Sequence, residues 1–142
     1  MLLMDVNILV YSHREDTPGS PRFRQWLEEV INSDAAYGIS DLVLSGFLRV
    51  VTHPKIFHEP SPPEVAWSFV EEVRNRPNCM ILRPGNRHWE IFKRLCRESG
   101  VKGNIFPDAY FAALAIETGS TWITTDRDYA RFRGLDWRHP WG

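Results

Sequence analysis

Residues 1–12 read MLLMDVNILVYS, an apolar run interrupted at Asp5 and Asn7. A carboxylate inside such a run is costly unless it is paired, hydrogen-bonded or bound to a cation. The stretch LLMDV fits a buried strand with Asp5 at or near its carboxyl end. NILVYS either continues that strand or turns into a short helix. In open α/β sheets ligands bind beyond the carboxyl ends of the strands, so an acid at that point is a site candidate.

Downstream, strand and helix patterns alternate. Ser20 fits a helix cap with Pro21 at the first helical position, and Phe23, Trp26, Leu27, Val30 and Ile31 fall on one helical face. AAYGIS (35–40) fits a short strand, and Ser40 is a good N-cap for the helix DLVLSGFLRVVTH that Pro54 ends. After the proline-rich loop PKIFHEPSPP come a helix from about Pro63 to Asn75 and a strand CMILR. HWEIFKRLCRES is an amphipathic helix with Gly100 as its stop. PDAYFAALAIET (107–118) is apolar on most sides and so predicts a buried helix. STWITT is a strand, DRDYARF a turn or short helix, and LDWR a last strand. This alternation predicts one domain over residues 1–142, a three-layer α/β/α fold with a central, mainly parallel sheet.

Composition narrows the function classes. Seventeen Lys and Arg against 18 Asp and Glu give a net charge of −1, which excludes an all-over basic coat and leaves room for a local basic patch. Cys79 and Cys96 make neither a disulfide framework nor a zinc motif, and fit a reducing cytoplasm. No run approaches the roughly 18 apolar residues of a membrane span. The fingerprints GxGxxG, GxxxxGK and GxSxG are absent, and the five His show no HExxH or HxxxH spacing. Six Trp serve core packing or partner surfaces.

Four further carboxylates complete the pattern around Asp5. Asp126 follows the strand STWITT, Asp128 comes two residues later, Asp108 stands in the first turn of the helix opening at Pro107, and Asp41 opens an earlier helix. Right-handed crossovers put the ends of parallel strands on one edge, so Asp5, Asp126 and Asp128 can share a cleft, which Asp108 joins if its helix starts there. Taken alone, Asp108 would serve a helix dipole, Asp126 a cap and Asp128 a turn. Together they repel: two charges 4 Å apart cost roughly 4 kcal/mol at an effective dielectric of 20. Several such pairs rival the roughly 5–15 kcal/mol stability of a domain. Relief comes from a proton, an Arg or Lys, or a divalent cation. Oxygen ligands without His or Cys favour Mg2+ or Mn2+, whose natural chemistry here is phosphodiester hydrolysis.

LLMDVNILVYS, LVLSGFLRVVTHP and PDAYFAALAIETGSTWITTDRDYARFRGLDWRHP resemble the motifs of PIN-domain ribonucleases, and more closely those of VapC toxins of type II toxin–antitoxin systems. The resemblance implies a Mg2+- or Mn2+-dependent endoribonuclease with metal-holding acids at Asp5, Asp108 and Asp126, often joined by Asp128. Asn7 and Thr124 or Thr125 match polar residues of the family's pocket. The resemblance also implies an RNA substrate, a homodimer and a VapB-like antitoxin whose tail covers the cleft. Many relatives carry a Glu on the helix where this chain has Gly46. Asp41, five residues earlier, is the nearest upstream carboxylate, about 7.5 Å along an ideal helix and roughly 140° around it. It either replaces that Glu or serves the helix dipole.

Arg127, Arg131 and Arg133 follow the acidic turn, and Arg127 and Arg131, four residues apart, share a face if the segment is helical. They would then hold RNA phosphates beside the acids. Arg49 matches an arginine the family often keeps, with a structural salt bridge as its expected role. Three other functions compete. A haloacid-dehalogenase-type phosphatase would need an Asp where Asn7 stands and a downstream Lys. A receiver-type domain would need an adjacent acidic pair. A PIN-like interaction module without activity would fit the loss of the Glu at Gly46.

Overall fold

The computed structural model describes residues 1–142. Its strands are short and all pair in parallel. In chain order the elements are β1 (Leu2–Met4), α1 (Val6–His13), α2 (Ser20–Asn32), β2 (Tyr37–Ile39), α3 (Asp41–Val51), α4 (Pro63–Arg74), β3 (Cys79–Ile81), α5 (His88–Ser99), α6 (Phe106–Thr118), β4 (Thr121–Ile123) and β5 (Trp137–Arg138). Two 3₁₀ turns, Gly103–Ile105 and Arg127–Arg131, precede α6 and follow β4. The sheet order is β3-β2-β1-β4-β5, with helices flanking it as the α/β/α reading predicts. Met4 pairs with Ile123, so β1 and β4 end level with each other.

The open choice after Asp5 resolves as a helix. Asp5 is extended and its carboxylate accepts the Val6 N–H at 2.6 Å, so it serves as the N-cap of α1. The apolar run Ile8 to Val10 is thus buried in a helix despite the strand propensity of its β-branched Ile8 and Val10. One turn later a cap differs from expectation. Ser20 is already helical, and Gly19, at a φ of 75°, supplies the left-handed entry that leaves Ser20 buried and Pro21 in the first turn. Gly100 ends α5 in the left-handed region, as its position predicts.

The core is one cluster of 28 buried hydrophobic residues. In α6, Ala109, Ala112, Ala113 and Ala115 are fully buried, and such small side chains let a helix lie close to its neighbours. Phe111 of the same helix stacks on Trp122 of β4 with ring centroids 5.4 Å apart. This contact fixes where α6 begins relative to the end of β4. No helix is long and apolar enough to cross a membrane.

Candidate active site

From β1 the chain builds outward through β2 and β3, then returns to β4 on the other side. The switch point, where such sheets leave a crevice, therefore lies between the ends of β1 and β4. Asp5 is held at this point. Its N–H donates to the Ile123 carbonyl at 2.9 Å, extending the β1–β4 ladder by one residue. One carboxylate oxygen takes the Val6 N–H, and the other accepts the Thr124 hydroxyl at 2.7 Å.

Thr124 is fully buried and its hydroxyl is used completely. It donates to Asp5, and it accepts the Asp126 N–H at 3.0 Å and the Asn7 side-chain amide at 3.4 Å. A hydroxyl offers one proton and two lone pairs, so nothing is left over. One side chain thus ties Asp5, Asn7 and Asp126 together. Asp126 in turn accepts the Asp128 N–H, at 2.9 Å, which fixes its own rotamer. Asp108 arrives from the first turn of α6, where the Tyr129 hydroxyl donates to it at 3.2 Å.

These acids sit in an unfavourable environment. Burial, reinforced by the charges of Asp108 and Asp126, pushes the Asp5 carboxyl up to about 6 despite the two hydrogen bonds it accepts. Burial and the neighbouring Asp126 also raise Asp108, against the bond from Tyr129. Tyr129 is buried beside all three acids, which holds its phenol protonated. The acids line one end of a cleft of about 730 Å³. The opposite wall is largely apolar and comes from α1 and from Leu42, Ser45, Gly46, Arg49 and Val50 of α3, one helical stripe.

A PIN-domain family profile matches residues 2–135. Ribonuclease VapC43 of Mycobacterium tuberculosis is 46% identical over 140 residues, spanning 99% of this chain and 95% of the relative. Ribonuclease VapC25 of the same organism is 38% identical over 135 residues, 95% of each chain. The chain belongs to the PIN-domain family, among the VapC ribonucleases. The fold agrees: the crystal structure of VapBC2 from Rickettsia felis bound to a promoter DNA fragment superposes with a TM-score of 0.70 at 19% identity, covering 98% of both chains.

Several residues singled out in the sequence lie away from the acids. Asp41 does not line the cleft. It belongs to the neighbouring stripe of α3, where Arg74 donates to it at 2.9 Å and Arg83 lies 3.7 Å away. Hydrogen bonding to Arg74 holds its carboxyl below the usual range. Of the two threonines, Thr124 rather than Thr125 bonds to the acids, and both border a second hollow across the end of β4. Asp128 is exposed, reaching Arg131 at 4.0 Å and outside the cleft lining. Arg127 and Arg131 do not share a face. The segment is a 3₁₀ helix, whose three residues per turn set positions four apart about 120° from each other. Arg131 folds back onto the Asp128 carbonyl at 3.0 Å.

Two residues gain roles that sequence reading did not assign. Tyr129, an aromatic in an acidic turn, reads as core, yet its hydroxyl orients Asp108. Arg49 lines the cleft without any ion pair, contrary to the salt bridge expected of it. Gly46 faces Val6 so closely that a Cβ there would stand 3.1 Å from a Val6 methyl. The space beside Gly46, where the family resemblance implied a Glu, is therefore partly filled by Val6 of α1.

The donors fit an oxygen-seeking divalent cation. Asp5, Asp108 and Asp126 supply carboxylates, and the Asn7 carbonyl oxygen is buried without a partner. No three acidic, His or Cys groups already enclose a cation-sized space by themselves. Mg2+ does not need such a cage, since it keeps several waters and binds through one or two carboxylates.

Proposed function

We propose that this VapC-family chain is a Mg2+- or Mn2+-dependent endoribonuclease, the toxin of a toxin–antitoxin pair that acts in the cytoplasm on cellular RNA. One observation carries the reading: Asp5, Asp108 and Asp126, distant in sequence, line one cleft, where burial and the neighbouring carboxylates raise the proton affinity of Asp5 and Asp108. A cation bound there would supply charge neutralisation and a hydrolytic water of lowered pKa. Asp5 and Asp108 would hold it, with Asp126 completing the acidic wall. Thr124 keeps the Asp5 carboxylate in one orientation, and Tyr129 does the same for Asp108. Arg49, unpaired on the α3 wall, is the cation of this chain that can meet a phosphate entering the cleft.

The likeness to VapBC2, which is a toxin–antitoxin complex, supports a VapB-like partner. Leu42 and Ile56, each about half-exposed at the cleft's apolar side, are the surface such a partner would cover. Trp89 and Phe106 are exposed around Phe92, an aromatic patch suited to a homodimer contact.

The test is RNA cleavage by the purified chain with Mn2+ or Mg2+, beside Asp5→Ala and Asp108→Ala. The unaltered chain is expected to cut and both variants to be silent, with chelator stopping the reaction. Equal cutting by the variants would assign the activity elsewhere. A folded chain that neither cuts nor takes up metal would be an interaction module. Growth arrest on expression, relieved by a co-expressed small neighbour, separates toxin from housekeeping nuclease.

A further inference from the structure

Across the end of β4 from the acids lies a second hollow, also of about 730 Å³. Arg127, Arg138, His139, Trp137 and Trp141 line it, and no acidic residue does. Arg127 and Arg138 are exposed and have no carboxylate within 4.0 Å, whereas Arg14, Arg74, Arg94 and Arg131 each face one. Arg22, also without an ion pair, lies 4.1 Å over the Trp141 ring. Burial and the charges of Arg22 and Arg127 lower the proton affinity of His139, so the hollow's cationic character rests on guanidinium groups.

The two hollows adjoin. Asp126 lines the acid cleft, while Thr125 and Arg127, its immediate neighbours, line the basic one. A polyanion approaching a net acidic cleft is repelled unless fixed positive charge draws it in nearby. Unpaired arginines beside indole faces supply what single-stranded nucleic acid needs, phosphate neutralisation and a stacking surface of no base preference.

We propose that this hollow binds single-stranded RNA beside the cleavage position, with phosphates paired to Arg127 and Arg138 and a base seated against Trp137 and Trp141. The identity of the polyanion rests on the ribonuclease reading. The route runs from the basic hollow over the Thr125–Arg127 turn into the acid cleft. It uses Arg127 as sequence reading expected, but with Arg138 in place of Arg131.

The experiment measures anisotropy of a fluorescent 12-nucleotide single-stranded RNA with the full chain carrying Asp108→Asn, in Mg2+, with and without Arg127→Gln and Arg138→Gln together. Both arginines are exposed, and thermal unfolding of each variant verifies the fold. The double change is expected to raise Kd about tenfold and to flatten the salt dependence by about 1.4 in log–log slope, from about 0.7 per phosphate contact on a single strand. Trp141→Ala should also raise Kd about tenfold, with the salt slope unchanged. Photocrosslinking of a 4-thiouridine oligonucleotide should label Trp137 or Trp141. Unchanged affinity and slope in the arginine variant, while the unsubstituted chain cuts RNA, would overturn the inference and leave the nuclease reading standing. Retained RNA affinity with loss of self-association or of antitoxin capture would make the hollow a protein-docking surface, which also overturns it. Arginine-dependent binding by a chain that cuts no RNA with Asp108 intact would sink the nuclease reading and keep the RNA hollow.

Discussion

The two hollows flanking the end of β4 have the same volume of about 730 Å³ and opposite chemistry. On one side Asp5 is 7% exposed, its oxygens are tied to Val6 and Thr124, and its carboxyl is pushed up to about 6. On the other, Arg127 and Arg138 stand exposed without carboxylate partners. The acids are therefore held against their own preference by the scaffold, while the arginines cost the fold little. Changes on the acid side should register in stability, proton affinity and chemistry together. Changes on the basic side should register in binding alone.

The largest effect that tests this contrast is on chemistry. Asp108→Asn keeps the shape of α6's first turn and the Tyr129 contact while removing a charge, and should lower RNA cleavage on the order of 10³-fold. Initial rates under saturating Mn2+ measure it. A loss confined to KM would mean that Asp108 acts like the basic side, as a binding group.

Stability comes next, with an unusual sign. In the folded chain Asp5 titrates at about 6 rather than the ordinary 3.8, so the folded form binds the proton more tightly than the unfolded form. The stability owed to neutral Asp5 is complete below about pH 4 and is lost as pH rises through 6, a change of about 3 kcal/mol. The unfolding temperature of the metal-free chain, minus that of Asp5→Asn, should fall by several degrees between pH 4 and 7. Mn2+ should restore it at pH 7 in the wild type and not in Asp5→Asn. A difference independent of pH would show that Asp5 is not desolvated.

Thr124 sharpens the contrast within the acid side. Thr124→Val keeps the shape but strands the Asp126 N–H and strips Asp5 of its hydroxyl donor. The expected cost is about 1–3 kcal/mol. Thr124→Ser should recover most of it. Urea unfolding of the three proteins gives the measurement, and equal stabilities would mean water replaces the hydroxyl.

What could be read from the sequence follows the same division. Asp5 stood out because an acid is costly among Leu3, Met4 and Val6, and Asp108 and Asp126 because topology sends strand ends and helix starts to one edge. Thr124 and Thr125 could not be separated by type, since neighbouring residues at a strand end point to opposite sides and one position of register exchanges their roles. Tyr129 was hidden because its ring belongs to the core, against Trp122 and Phe132, and only its hydroxyl reaches the site. The arginine pairing depended on the helix type: 100° per residue puts Arg127 and Arg131 together, and 120° separates them. Gly19 took the cap from Ser20 because the chain enters α2 through a left-handed residue, which Ser disfavours.

Asp41 gives the smallest expected effect and the sharpest check on where the acid side ends. It opens α3 beneath the Ser40 cap, 49% exposed, and spends its charge on Arg74 and Arg83. An exposed ion pair and a helix-dipole contact each contribute less than about 1 kcal/mol. Asp41→Asn should therefore lower the unfolding temperature by only a few degrees and leave the rate of RNA cleavage within twofold of the unaltered chain. The helix phase gives the reason: the stripe that faces the acids runs through Leu42, Ser45, Gly46, Arg49 and Val50, and Asp41 lies on the stripe beside it. A cleavage loss approaching that of Asp108→Asn would require the first turn of α3 to unwind and surrender the Arg74 contact when RNA binds. In that case Asp41 would replace the carboxylate that Gly46 lacks, and Arg74→Gln should raise activity by freeing it.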